Sequence, residues 1–177
     1  MFRSTKVSAL CVFVAMFVVM ACQKEEGFAD TPEIRFEGFR KVVAQNGSDS
    51  AGVLTLYFTD GDGDMGLSPA DTTAPFNPGS IFYYNCFVSF FEKQNGAWVK
   101  VGFPPPFPGG DTLSNSARIP DLTPEGQNKT LEGNIELGLF LGSPFSPYDT
   151  IKYQVSICDR ALNRSNTVET PEIIVNK

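Results

Sequence analysis

The chain contains no histidine, a single tryptophan and only 14 lysines and arginines among its 177 residues. Without histidine there is no imidazole base, no Ser-His or Cys-His nucleophile pair, and little prospect of a zinc site. The few cations stand against 20 acidic side chains, for a net charge of −6, which argues against nucleic acid as a partner because phosphate binding needs a basic footprint. A spanning helix needs ~20 apolar residues, whereas the uncharged stretch from Val7 to Ala21 has 15. Convincing helical periodicity and internal repeats are missing as well. Phenylalanine (16), glycine (16) and proline (13) are abundant, and β-branched residues fall in short runs between turn formers. That is the composition of an all-β domain with long ordered loops.

Arg3 and Lys6 precede the apolar stretch and the polar run Gln23 to Glu26 follows it, the layout of a cleaved signal peptide over residues 1–21. The alternative for this stretch is an N-terminal membrane anchor helix. Removal of the leader leaves 156 residues, the length of one domain, with 12 basic and 20 acidic side chains and a net charge of −8. Val19-Met20-Ala21-Cys22 resembles the bacterial lipobox, and the resemblance implies a diacylated Cys22 as the first mature residue. Each buried methylene contributes ~0.8 kcal/mol, and two or three chains make a stable anchor where one does not. Cys22-Gln23-Lys24-Glu25-Glu26 resembles the export signal of Bacteroidota surface lipoproteins. It implies the outer leaflet of the outer membrane, facing the cell exterior; the alternative is a solvated linker. Residues 22–32 then form a lipidated tether and residues 33–177 the domain.

Strands are predicted at Ile34–Val43, at Val53–Phe58 with Leu54, Leu56 and Phe58 on one face, and as a long apolar run at Ile81–Lys93. Asn95-Gly96 turns the last of these into Trp98–Val101, a hairpin signal. Residues 103–110, FPPPFPGG, read as a stiff polyproline-like loop. Leu131, Ile135, Leu137 and Leu139 mark the inward face of a further strand, Ile151, Tyr153, Val155 and Ile157 the next, and Thr167–Val175 is the last. About seven strands without a helix imply an immunoglobulin-like antiparallel β-sandwich, with a possible eighth strand near Ala117–Ile119.

Asp60-Gly61-Asp62-Gly63-Asp64-Met65-Gly66 sets three carboxylates at alternate positions, where they repel one another and carry raised pKa values unless a cation sits among them. Calcium suits such a place, since it takes six to eight oxygens in irregular geometry. The run resembles the acidic half of an EF-hand loop, with Asp71 at the position of its terminal acid. It departs from that pattern in Met65 where glycine is expected, in Asp71 where glutamate is usual, and in lacking flanking helices. The reading is therefore a calcium-binding loop of a β-sandwich, with a tight solvated turn as the alternative. If the strands alternate in direction, those ending at Phe58 and Cys158 run parallel and their loops share one end. Asp159, Asn163 and Asn166 then approach the aspartates, with Asp159 and Asn163 as oxygen donors and Arg160 paired to a carboxylate; the alternative is an ordinary Asx-capped turn. With DGDGDMG early and DRALNRSN late, the mature chain resembles uncharacterised immunoglobulin-like lipoproteins of the Bacteroidota.

Cys86 and Cys158 remain after Cys11 leaves with the leader. The strand phases put their sulfurs on different faces, against a disulfide, although an oxidising envelope favours one. Trp98, Phe103 and Phe107 follow Phe87 and Phe91 as a possible ligand platform, or as aromatics covered by a loop. Asp49-Ser50-Ala51, Asp111-Thr112-Leu113 and Asp149-Thr150-Ile151 resemble Bacteroidota O-glycosylation sites. Glu132 and Glu136 form the one carboxylate pair considered for acid–base work, and their spacing on an outward strand face fits solubility better. The sequence thus reads as a non-enzymatic, calcium-stabilised surface lipoprotein acting as a binding or envelope accessory module with a protein or glycan partner. The alternative is a glycan-binding module of an outer-membrane uptake system.

Overall fold

The computed structural model describes residues 27–102, 115–124, 129–142 and 146–177. Among the described residues eight strands follow in order: β1 Glu33–Val43, β2 Asp49–Asp60, β3 Cys86–Gln94, β4 Ala97–Lys100, β5 Leu131–Leu139, β6 Thr150–Ile157, β7 Val168–Glu169 and β8 Ile173–Ile174. They form two antiparallel sheets, β1-β2-β5 and β4-β3-β6-β7, with β8 also on β6. This is the immunoglobulin-like sandwich that the alternating pattern predicts.

Leu54, Leu56 and Phe58 of β2 lie in register with Leu137, Ile135 and Gly133 of β5, and all the apolar members face the opposite sheet. Ile151, Tyr153, Val155 and Ile157 answer them from β6. Each such side chain contributes about 1.5–3 kcal/mol by leaving water. The buried Tyr153 hydroxyl donates to the Phe140 carbonyl at 2.5 Å, a bond from β6 across to the end of β5.

Two strand predictions are corrected. The apolar run from Ile81 does not pair until Cys86. Tyr83 and Ser80 close successive turns onto Ser80 and Asn77 carbonyls, and Ile81 is 77% exposed. The final strand is broken in two because Pro171 supplies no donor; before it, the Thr170 hydroxyl receives the Tyr153 amide while the Thr170 amide reaches the Tyr153 carbonyl. Residues around Ala117 make only isolated pairings, Cys86 with Ala117 and Leu67 with Pro120. At the β3–β4 hairpin, Asn95 (φ 51°) and Gly96 (φ 84°) have the left-handed backbone of a type I′ turn. The predicted tether is anchored before β1, since Pro32 is fully buried and the Ala29 carbonyl accepts the Gly61 amide at 2.8 Å.

Candidate metal centre

β2 ends at Asp60 in one sheet, and Asp159 closely follows the end of β6 in the other. Their loops meet at one end of the sandwich, as strand alternation requires. Carboxylate oxygens of Asp60, Asp64 and Asp159 lie within 4.8 Å of one another. Asp60 is 0% and Asp159 1% exposed, and Asp64 is half-buried. Neither oxygen of Asp60 accepts a well-formed hydrogen bond, the Met65 backbone amide making only a weak opposing contact, and one buried oxygen each of Asp62 and Asp64 likewise lacks a partner. A buried carboxylate without a donor or counter-charge is strongly disfavoured.

The electrostatics follow from this crowding. Burial first, then the charges of Asp62, Asp64 and Asp159, push the Asp60 pKa up to about 7. Asp64 is raised by burial and by Asp159 and Asp62. Burial also raises Asp159, against the opposing hydrogen bonds of Asn163.

The loop folds this way because its glycines admit other chain segments. At Gly63, with φ +65°, a Cβ would stand 1.5 Å from the Lys129 carbonyl oxygen, so the backbone passes where no side chain fits. Met65 seals the underside as a wholly buried core residue. That accounts for a large apolar residue at a position where a solvent-facing loop would carry glycine.

The remaining predicted ligands have other tasks. Asp71 is not in the cluster: the Arg160 guanidinium takes both its oxygens, at 2.8 and 2.9 Å, and holds its pKa down. The expected pairing of Arg160 with a carboxylate is therefore present, and it removes Asp71 from the ligand set. Asn163 donates its backbone amide to Asp159 Oδ1 and its side-chain amide to Oδ2, at 2.7 and 2.9 Å. It orients Asp159, whose oxygens keep further lone pairs for a cation. Asn166 is bonded through both its amide oxygen and nitrogen to the Ile34 backbone.

Arg118 was not legible as a site residue. Its guanidinium donates to the carbonyls of Ser68, Asp71, Phe76 and Tyr83, with distances of 2.8–3.4 Å, and gathers the long loop after the aspartates. No pattern in its neighbours signals this, because backbone carbonyls have no sequence identity.

Cys22 and Gln23 to Glu26 lie outside the described residues, as do Phe103, Phe107 and Asp111-Thr112-Leu113. Trp98 is described: Lys152 Nζ stands 4.6 Å and Lys93 Nζ 5.6 Å from its ring centre, while Arg164 covers Phe87 at 4.0 Å. A cavity of about 560 Å³ lies beside Phe87, lined also by Ser89, Lys100, Gln154, Ser156 and Arg164. Cys86 and Cys158 are both buried and both free. Ser50 donates to the Val42 carbonyl and Thr150 to Asp149. Glu132 and Glu136 are exposed on β5, the first accepting the Tyr57 hydroxyl and the second 3.9 Å from Arg40.

The clustered carboxylates of Asp60, Asp64 and Asp159, with Asp62 beside this group rather than in it, offer only hard oxygen donors, which suit calcium better than zinc or copper. No protein-family model matches the chain, and neither curated proteins nor solved structures include a significant match to it.

Proposed function

We propose that the chain is a non-enzymatic surface lipoprotein, anchored in the outer membrane through acyl chains on Cys22. Its loop end is held together by calcium on Asp60, Asp62, Asp64 and Asp159. In this reading the sandwich is a rigid support that displays loops as a binding or envelope accessory module. One observation carries the metal: the wholly buried Asp60 carboxylate has no well-formed hydrogen bond on either oxygen and three further carboxylates around it. A divalent cation removes the burial penalty and the repulsion together. The anchor is supported by the lipobox and by the acidic run behind it.

Two measurements test the reading. The protein melts higher in millimolar calcium than in chelator, and Asp62→Ala removes the difference; equal melting temperatures for the unaltered protein end the metal assignment. Mass spectrometry of protein from its host shows a diacylated Cys22 terminus, and an intact Met1 ends the anchor assignment.

A second reading, glycan binding, is favoured by the cavity beside Phe87, where aromatic and hydrogen-bonding side chains adjoin. Trp98 is a poorer platform than its sequence context implies, since two lysines already occupy its ring. Glycan binding that is lost on Gln154→Ala supports this reading, and silence across a broad glycan panel removes it.

A further inference from the structure

We propose that the ion site is also the latch that fastens the N-terminal segment, residues 28–34, to the sandwich. This rests on the metal reading above. The two loops that bring carboxylates together are the same two that hold the segment. Gly61, between Asp60 and Asp62, donates its amide to the Ala29 carbonyl at 2.8 Å. The contact is so close that a Cβ at position 61 would lie 2.2 Å from the Phe28 carbonyl oxygen and 2.7 Å from that of Ala29. On the other loop, Asn166 accepts the Ile34 amide and donates to the Ile34 carbonyl, both at 2.8 Å. Pro32, between these two fastenings, is fully buried.

An ion shared by Asp60, Asp62 and Asp64 from one loop and Asp159 from the other fixes the separation of the loops. Without it, four carboxylates repel across that gap, and both fastenings sit on the diverging sides. Asp60 is the second, independent sign of a ligand here, because a fully buried side chain with two unpartnered oxygens faces the cluster. The latch has a consequence for reach. It sets how much chain stands between a lipidated Cys22 and the sandwich. Release as far as Pro32 adds five residues, or about 17 Å of extended chain at ~3.4 Å per residue.

Amide hydrogen exchange on the full-length protein tests this, with calcium or EGTA as the only variable and thermal melting run in parallel. Calcium is expected to slow exchange at the Gly61 and Ile34 amides at least about tenfold beyond any change at Leu54 and Leu56 in β2, local opening being separable from global opening in this way. Asn166→Ala should abolish the calcium effect at Ile34 and retain the calcium-dependent rise in melting temperature. If calcium raises the melting temperature but Gly61 and Ile34 slow only in step with β2, the latch is wrong and the metal site stands. If calcium changes neither melting nor exchange, both fall.

Discussion

Asp60→Asn separates a metal site from a merely acidic loop, because the two give changes of opposite sign. In the metal-free protein the Asp60 pKa stands at about 7 against 3.8 for an ordinary aspartate. At about 1.4 kcal/mol per pH unit, that difference is a penalty of about 4 kcal/mol on the native state once both states are ionised. The sign is that of a raised acid. The folded form binds the proton more tightly, so stability falls as pH rises from 3.8 towards 7 and the full penalty applies above 7. Asparagine carries no charge, and its amide can donate to the surrounding carboxylates. In EGTA at pH 8 the variant is therefore more stable than the unaltered protein, by up to about 4 kcal/mol less a share of amide desolvation of about 1–3 kcal/mol. At pH 5 the advantage shrinks below about 2 kcal/mol, since Asp60 is then largely protonated when folded. In calcium the order reverses: the unaltered protein gains about 4.1 kcal/mol at a thousandfold excess over Kd, and the variant gains little. Urea unfolding followed through Trp98, the only tryptophan, reads all three conditions. A variant that is less stable in EGTA and still responds fully to calcium would refute the reasoning.

Three further outcomes follow from the same structure. Gly63→Ala is expected to destabilise the fold and weaken calcium binding together, because its Cβ meets the Lys129 carbonyl and displaces Asp62 and Asp64; calorimetric titration with calcium checks the second effect. Tyr153→Phe loses the buried bond to the Phe140 carbonyl and should lower unfolding free energy by about 1–2 kcal/mol without altering calcium response. Arg160→Ala should lower the melting temperature at neutral pH. The pKa of Asp71 is depressed by that guanidinium, so the contribution is present above pH 3.8 and lost on further acidification; melting curves of the two proteins should converge below that pH.

Much of this architecture was legible because it depends on local periodicity. Leu54-Leu56-Phe58 and Ile151-Tyr153-Val155-Ile157 alternate, and a strand with one buried face can present such a set in only one way. The meeting of the two loops was also within reach, since alternation of strand direction fixes which loops share an end. The Ile81 error arose because apolar content alone does not make a strand. The run 81–85 is turned by Gly79 and Ser80, and its Tyr83 carbonyl is claimed by Arg118. The Asp71 error arose from spacing within a helical-family loop pattern that this chain does not adopt.

The sequence by itself determined the two-sheet sandwich, the type I′ hairpin at Asn95-Gly96 and the chemistry of the aspartate loop, because each follows from alternation, turn preference or charge spacing along one stretch of chain. Only the tertiary structure decided which oxygens meet. Asp71 goes to Arg160, Asn166 to the backbone of Ile34, and Ala29 comes to rest on Gly61. Those choices are made between segments tens to more than a hundred residues apart. There the competition among an arginine, an asparagine and a backbone amide for each oxygen is settled by distance in space, which spacing along the chain does not record.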